Sequence, residues 1–338
     1  MTRPQSPIAA AFGELSEEEA KLLESGMLDA ARRKGLRGRG IVSVGRSPLD
    51  STWYRTEAIT AELDSGEQMK CFLKDFGSYT RDKGQMAARR ERERFFYNDV
   101  SRNGELGLPT FVADVWSEQT MWLILEFVDG VPLGWRELET WYEAAAWLGR
   151  WQTAVADRLQ SFRESGHFPD RGHAYFDNIA RNATAGAALF GEDVARKVET
   201  ALPAYLKGAE QLIRQPQTLV HGAFRPHQIL VDPEQTPVRI CPTDWEIAAI
   251  GSCLYDLAAL TDGFDGPSLD TFLDRFLTEA TWLRDDPPDL PDLQLAIKTC
   301  STHRTLKWIA QGEKRGFSPG KIRELAVSLT EPGKELQP

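Results

Sequence analysis

Several features are scarce or missing in this 338-residue sequence, and each absence excludes a class of protein. Four cysteines are present and none stands in a CxxC pair, so neither a zinc site nor a disulfide framework is expected. This cysteine usage predicts a cytoplasmic location. Apolar runs end well before about eighteen residues, and the first residues lack the apolar segment of a secretory signal. No membrane partner is therefore expected.

Positive charge is in deficit, because 40 lysines and arginines face 50 acidic residues and leave a formal net charge of −10. A chain this acidic is poorly suited to the nucleic-acid backbone, so no nucleic-acid partner is expected. Apolar residues make up 41% of the chain, which is enough for a packed core and excludes a disordered protein. The length fits two domains of about 150 residues each.

Hydrophobic periodicity divides the chain into a β-rich first third and a mostly helical remainder. Strand-like runs are predicted at 41–45, 57–63, 68–76, 109–116 and 120–128, and again between 219 and 247. Helices are predicted at 16–33, 83–101, 139–165 and 192–214. Ser16 and Glu19 form a capping-box pattern at the start of the first helix, and Pro203 is expected to bend the last. The pattern predicts an α+β chain of two lobes with a cleft between them.

Two charged residues of the β-rich part carry a possible chemical role. Side chains alternate across a strand, so Phe72 and Lys74 share one face of the third strand while Leu73 packs on the other. Glu93 follows Lys74 by nineteen positions, on the charged helix. Taken singly, a strand lysine and a helix glutamate are both more typical of a solvated surface.

Two later segments give a stronger signal. In VHGAFRPHQILV a polar loop that begins at His221 stands between two apolar runs, an arrangement typical of functional loops. In CPTDWEIAAIGSCLYDLAAL, Asp244 follows His221 by 23 positions and Asp256 lies among apolar residues. A carboxylate in such surroundings has to be paired or hydrogen-bonded.

The order of these segments resembles the aminoglycoside phosphotransferase family, which is related to protein kinases. The resemblance covers about residues 40–265. The loop is similar to the kinase catalytic loop H-R-D-L-K-P-E-N, because His221, Gly222, Phe224, Arg225 and Pro226 fill the matching positions. It implies a bilobal protein-kinase-like fold, with a small antiparallel-sheet N-lobe and a larger helical C-lobe. The expected divisions are an N-terminal helical extension at 1–38, the N-lobe at 39–128 and the C-lobe at 129–338.

The resemblance also implies a site for ATP, or another nucleoside triphosphate, with Mg²⁺. Lys74 would pair with the α- and β-phosphates and Glu93 would hold Lys74, with Glu91 as the nearest rival. Phe72 would face the adenine, and the backbone of Glu126 and Val128 would meet the adenine edge. The remaining implied roles are metal binding by Asp244, anchoring of the loop backbone by Asp256, and coverage of the phosphates by a loop from Gly45 to Thr52 that contains Ser51.

Two positions depart from the family pattern. Ala223 stands where the catalytic aspartate belongs, and Gln228 replaces the asparagine that is the second metal ligand. Glutamine keeps an amide oxygen for the metal, whereas alanine offers no base. His227 is a conceivable substitute base, Glu246 could assist the metal shell, and the resemblance implies that Arg225 reaches the γ-phosphate. The catalytic-loop candidates are thus His221, Arg225 and His227.

Three hypotheses for the function remain open at this point. The first is an ATP- and Mg²⁺-dependent phosphotransferase acting on a hydroxyl of a small molecule or modified peptide. The second is a pseudokinase that serves as a partner of another protein, and the third is altered chemistry such as nucleotidyl transfer. The acidic residues from Asp262 to Asp292 are expected to form a solvated face, although the resemblance implies that acidic groups here can bind cationic amino-sugars.

Overall fold

The computed structural model describes residues 6–51, 54–78, 83–101, 105–117 and 120–330. The chain divides into two compact units. The first contains the residues up to Trp135 together with His227–Ile247, and the second contains Arg136–Pro226 and the residues from Ala248 onward. Strands and helices are both abundant, which confirms the α+β class.

The first unit is built on a five-stranded antiparallel sheet with the strand order β1-β2-β3-β5-β4. Its strands are β1 (Ile41–Leu49), β2 (Arg55–Leu63), β3 (Gln68–Asp75), β4 (Phe111–Trp116) and β5 (Met121–Glu126). The turn between β2 and β3 uses Gly66 at φ 82°, a conformation that glycine adopts without a Cβ clash. The predicted strands are all present, so β3 lies at the centre of the sheet.

Two N-terminal helices cover one face of this sheet, namely α1 (Pro7–Ala11) and α2 (Glu17–Arg33). The predicted capping box is confirmed, since Ser16 accepts from the Glu19 backbone and Glu19 accepts from the Ser16 backbone. Leu23 and Met27 of α2 belong to the same buried hydrophobic cluster as Leu73 of β3. The N-terminal segment therefore forms part of the first unit's core, where the sequence indicated an extension separate from the N-lobe.

The segment from Gly45 to Leu49 continues strand β1, so the prediction that it forms a loop was wrong. It pairs residue by residue with β2 from Thr60 to Thr56. Arg46 fixes this pairing, because its Nε lies 2.6 Å from a Glu57 carboxylate oxygen and its guanidinium lies 4.3 Å from the Phe12 ring centre. Ser51 is exposed beyond the strand. Thr52 lies outside the described residues.

The first unit also contains a helix between β3 and β4 and a second, smaller sheet. Helix α3 (Lys83–Phe95) ends in a wider π-type turn (Phe96–Val100), and a second, three-stranded sheet contains β6 (Val131–Pro132), β8 (Ile229–Asp232) and β9 (Arg239–Pro242). The sequence assigned 129–338 to the C-lobe, but 129–135 and 227–247 belong to the first unit. The reason is local pairing: Val131 is the register partner of Val231, and the Trp245 ring stacks on Phe96 at 3.9 Å.

The second unit is mostly helical. Its helices are α4 (Leu138–Val155), α5 (Leu159–Ser165), α6 (His173–Ala188), α7 (Glu192–Arg214), α8 (Tyr255–Leu260), α9 (Gly266–Glu279), α10 (Leu290–Gln311) and α11 (Pro319–Thr330), with the strand pair β7 (Gln217–Val220) and β10 (Ala249–Ser252). The helix predicted at 139–165 is divided by a tighter turn at Ala156–Arg158, and Pro203 lies within α7. Among the described residues, no helix combines the length and apolar character needed to cross a bilayer.

The packing of α2 on the sheet gives a testable prediction. A Cβ added at Gly26 would lie 2.5 Å from the backbone oxygen of Val112, which cannot move without disturbing β4. Gly26→Ala should lower the free energy of unfolding by about 1–3 kcal/mol, measured by urea denaturation. Gly13→Ala is the matched control, because nothing lies within 4 Å of a Cβ there. Equal stability of the two variants would contradict this packing.

Candidate functional site

Three charged side chains from distant parts of the sequence meet in the first unit. The Nζ of Lys74, on β3, lies 2.6 Å from Oε2 of Glu93 on α3 and 2.6 Å from Oδ1 of Asp244, which follows β9. The Lys74 and Glu93 side chains are 6% and 2% exposed, whereas that of Asp244 is 35% exposed. Asp244 is therefore the member of the trio that is open to a ligand.

Aromatic rings and a third carboxylate complete the surroundings of Lys74. Its Nζ lies 4.5 Å from the Tyr54 ring centre and 4.9 Å from that of Phe76, close enough for attraction between the cation and the ring faces. Oε2 of Glu246 lies 3.6 Å from the same Nζ. A single buried cation thus contacts three carboxylates.

The titration of this cluster follows from burial and charge together. Burial by itself lowers the pKa of Lys74, but the carboxylates of Asp244, Glu93 and Glu246 outweigh it and hold that pKa well above the usual range. Burial raises the pKa of the Glu93 carboxyl, and the neighbouring carboxylates add to this rise while Lys74 opposes it. Lys74 accordingly remains an ammonium at every physiological pH.

Glu246 is held by side chains that sequence analysis did not identify as functional. The Tyr54 hydroxyl donates to its Oε2 at 2.5 Å, and Arg89 Nη1 lies 3.3 Å from its Oε1. Arg92 donates to its backbone carbonyl at 2.6 Å. Burial raises the pKa of Tyr54, and the charge of Glu246 raises it further, so the phenol stays a donor. Tyr54 lies in no motif of the sequence, and nothing distinguishes Arg89 from the other charged residues of its helix, which is why sequence analysis missed both.

The carboxylate oxygens near Asp244 are suitable ligands for a hard metal cation. Glu93, Asp244 and Glu246 each offer a carboxylate oxygen within 4.8 Å of the others, and hard divalent cations prefer oxygen ligands. Asp244 adopts φ 67°, a left-handed conformation that is rare for residues other than glycine and concentrated at functional sites. Gln228 lies beside it, with Nε2 donating to Asp244 Oδ2 at 3.1 Å. The structure thus brings together both residues that were predicted as metal ligands.

Glu126, at the end of β5, has a side chain that ties three segments together. It accepts from Lys34 Nζ at 2.9 Å, from Arg239 Nη1 at 3.0 Å and from the Thr110 hydroxyl at 3.1 Å. Burial opposes ionisation, but Arg239 and Lys34 lower the pKa of Glu126 to about 2. Two residues on, the buried Val128 has a backbone N–H without a hydrogen-bond partner in the part of the chain that the structure describes.

The loop that resembles the kinase catalytic loop lies in the second unit and is fixed by a buried carboxylate. Asp256 accepts from the backbone N–H groups of His221 at 2.6 Å and Gly222 at 2.9 Å, while the fully buried His221 accepts from the Ala223 N–H at 3.2 Å. Gly222 has φ 84°, which only glycine adopts readily. The anchoring of this loop by Asp256 is as the resemblance implied.

The other candidates are placed as follows. Phe72 is half-buried on the same face of β3 as Lys74, and Glu91 is a half-buried partner of Arg94, at 3.6 Å, rather than of Lys74. Arg225 is half-buried in the second unit, whereas His227 is exposed at the start of the first unit's second segment. Each unit therefore brings its own set of predicted residues together.

Comparison with known proteins assigns the chain to a family. It matches the phosphotransferase enzyme family, APH, over residues 78–292, more than half of its length, and it belongs to that family. No curated protein matches it closely in sequence.

Several solved structures are similar in fold. Macrolide 2'-phosphotransferase MphH from Brachybacterium faecium, solved as the apoenzyme, is 15% identical with a TM-score of 0.57, over 92% of this chain and 99% of that one. Choline kinase LicA from Streptococcus pneumoniae is 16% identical with a TM-score of 0.55, over 93% and 99%. The GDP and kanamycin complex of APH(2")-IIia is 14% identical with a TM-score of 0.61, over 93% and 98%. At these identities the likeness concerns the fold, and it confirms the kinase-like fold predicted from the sequence.

The ion pairs of Glu126 give a pH prediction. Because the folded state lowers its pKa from 4.5 to about 2, the ionised carboxylate stabilises the fold above pH 4.5, and this contribution is lost as the pH falls towards 2. Glu126→Gln should lower the free energy of unfolding at neutral pH by about 3 kcal/mol and flatten its decline between these values. The measurement is urea denaturation as a function of pH, with the exposed Glu62→Gln as the control. An unchanged acid profile would contradict the assignment.

Proposed function

We propose that this chain binds ATP or another nucleoside triphosphate together with Mg²⁺, and transfers the terminal phosphoryl group to a small-molecule or peptide acceptor. The observation that carries the proposal is the Lys74 ammonium, 2.6 Å from both Glu93 and Asp244. In this assignment Lys74 holds the α- and β-phosphates, Glu93 orients Lys74, and Asp244 with Gln228 holds the metal ion. The proposed location is the cytoplasm.

The energetics of burial support a ligand for this trio. Removing a charge from water costs several kcal/mol, and apolar replacements of a buried ion pair are often neutral or stabilising. Lys74 and Glu93 are almost fully buried, and two more carboxylates adjoin them. A chain that used this fold only as a scaffold would gain nothing from such an arrangement. A triphosphate with its cation would replace the contact between Lys74 and Asp244.

The proposed adenine position rests on the end of β5. The backbone N–H of Val128, which has no hydrogen-bond partner among the described residues, can donate to a ring nitrogen of adenine. Phe72 offers a half-buried aromatic face two residues from Lys74. The ion pairs of Glu126 hold the end of this strand in place while its backbone meets the adenine edge.

The catalytic loop supports transfer without the usual base. When bound, Mg²⁺ neutralises charge on the β- and γ-phosphates, and phosphoryl transfer depends mainly on such electrostatic stabilisation and on positioning. Arg225 supplies further positive charge to the transferred group. His221 is fully buried with Nδ1 accepting from the Ala223 N–H, so it positions the loop. The exposed His227 remains the candidate proton acceptor of the loop.

A second candidate function is favoured by one specific observation. Ala223 presents only a methyl group where the family carries its catalytic aspartate. A nucleotide-binding pseudokinase that acts on a protein partner fits this loss, and so does altered chemistry such as nucleotidyl transfer. Both alternatives retain nucleotide binding at Lys74, and they differ from the first proposal in the fate of the γ-phosphate.

Nucleotide binding is tested by removing the central cation. Mg·ATP at about 100 times its Kd should raise the free energy of unfolding of the natural chain by about 2.7 kcal/mol. This stabilisation should be lost in Lys74→Ala and in Asp244→Asn. The control is Lys70→Ala on the same strand, where Nζ is exposed and 3.8 Å from Asp129. Stabilisation that persists in Lys74→Ala, or is absent from the natural chain, would contradict the proposal.

The missing base is tested by restoring it. Ala223→Asp should raise the rate of phosphate release from γ-labelled ATP to water by about 10²–10⁴, because water must lose a proton as it attacks. The double variant Ala223→Asp with Asp244→Asn should show no such gain. An Ala223→Asp rate equal to that of the natural chain would show that the loop is not placed for phosphoryl transfer, and would favour the second candidate.

A further inference from the structure

Tyr54 acts on the Lys74 ammonium through both its ring and its hydroxyl. The ring centre lies 4.5 Å from the Lys74 Nζ, a distance at which a cation is attracted to an aromatic face. The hydroxyl donates to Oε2 of Glu246 at 2.5 Å, and the same Oε2 lies 3.6 Å from that Nζ. The phenol therefore covers the ammonium with its ring and holds a carboxylate beside it with its hydroxyl.

The position of Tyr54 follows from the register of the sheet. Thr56 of β2 is the register partner of Lys74 on β3, and Tyr54 comes two residues before Thr56. Residues two apart on an extended chain share a face, and diagonal neighbours about 7–8 Å apart are within reach of an aromatic side chain. Tyr54 is 8% exposed and packs edge-on against Phe76 at 5.2 Å, which fixes the direction of its ring.

Glu246 is turned towards the protein rather than towards a ligand. Its Oε1 lies 3.3 Å from Arg89 Nη1, its Oε2 accepts from Tyr54, and its backbone carbonyl accepts from Arg92 at 2.6 Å. Its side chain is 12% exposed, whereas that of Asp244 is 35% exposed. Protein donors thus already engage both oxygens of Glu246, and Asp244 is the more open carboxylate.

Lys74 loses one partner in the proposed nucleotide complex, because Asp244 binds the metal ion there. Glu93 at 2.6 Å and Glu246 at 3.6 Å are the carboxylates that remain beside the Lys74 Nζ. An ammonium on a flexible four-carbon side chain needs fixed partners to keep one direction. A carboxylate near the phosphates would repel them, but Arg89 offsets the charge of Glu246.

We propose that Tyr54 and Glu246 form a positioning pair, which directs the Lys74 ammonium at the phosphates and takes no part in metal binding. The hydroxyl of Tyr54 fixes Glu246, and Glu246 together with the Tyr54 ring fixes the Lys74 Nζ. The sequence suggested a different role for Glu246, as a residue that assists the metal shell. That the ammonium meets phosphates rests on the proposed function, whereas the hydrogen bond between Tyr54 and Glu246 does not.

The test measures the binding of ADP, which contains both phosphates that Lys74 would hold, to the full chain by calorimetry with Mg²⁺. Tyr54→Phe keeps the ring and removes the hydroxyl, and it should weaken binding about tenfold, the contribution of one hydrogen bond to a charged group. In a Glu246→Met background the same substitution should have no further effect, because the hydroxyl then has no carboxylate to hold. The control is the half-buried Tyr142→Phe, on α4, which should bind ADP like the natural chain. Thermal unfolding of each variant checks that it is folded.

The dependence of ADP binding on Mg²⁺ separates this pair from the metal ligands. Tyr54→Phe should lower the ADP affinity by the same factor at every Mg²⁺ concentration, so the concentration at which the affinity reaches half of its maximum stays unchanged. Gln228→Ala should instead raise that concentration, because Gln228 is proposed to hold the metal ion. A raised concentration in Tyr54→Phe would show that the pair serves the metal ion, and would overturn the proposal.

Three other results would count against the positioning pair. Equal ADP binding by Tyr54→Phe and the natural chain would show a purely structural hydrogen bond, while the proposed function would stand. An undiminished effect of Tyr54→Phe in the Glu246→Met background would show that the hydroxyl acts without Glu246. If the natural chain binds no ADP at any Mg²⁺ concentration, the proposed nucleotide function fails and the positioning role fails with it.

Discussion

The buried ammonium of Lys74 is the constraint on which the rest of the first unit depends. It contacts Glu93 and Asp244 at 2.6 Å, lies over the Tyr54 ring, and carries a pKa raised well above its usual range. Because a cation in such a place is stable only while its partners stay fixed, the elements that carry them cannot move independently. β3 supplies the lysine, α3 the first carboxylate, and the segment after β9 the second. The stacked rings of Phe96 and Trp245 join α3 to that segment, so apolar packing and ion pairing reinforce each other.

The two faces of β3 have different roles: one packs in the apolar core and the other carries the charged site. Leu73 and Cys71 point into the apolar cluster under α1 and α2, whereas Phe72 and Lys74 point to the charged face. A register shift of one residue would bury the ammonium under the helices, so the apolar cluster specifies where the charge must be. The carboxylate of Glu126 fixes the end of β5 in a similar way, because Lys34, directly after α2, and Arg239 of β9 both pair with it. The N-terminal helices thus contribute to the proposed nucleotide site without belonging to its motifs.

Features that depend on local sequence patterns, such as strands and helix starts, could be predicted from the sequence. Features that depend on contacts between distant residues could not. Period-two alternation gave the five strands, the Ser16 capping box gave the start of α2, and the resemblance selected Glu93 over Glu91 as the partner of Lys74. Gly45 to Leu49 contains Gly, Ser and Pro, which favour a loop, but pairing with β2 and the anchoring of Arg46 override that tendency. The contacts of Tyr54 and Arg89 with Glu246 join residues more than 150 positions apart, and no periodicity can report them.

A crystal structure with Mg²⁺ and a non-hydrolysable ATP analogue would show whether nucleotide binds at Lys74. We expect Lys74 to keep its contact with Glu93 and to exchange Asp244 for oxygens of the α- and β-phosphates, while Asp244 binds the metal ion. The Val128 N–H should meet the adenine ring in the same structure. An analogue bound elsewhere, with Lys74 still bridging Glu93 and Asp244, would contradict a nucleotide site at Lys74.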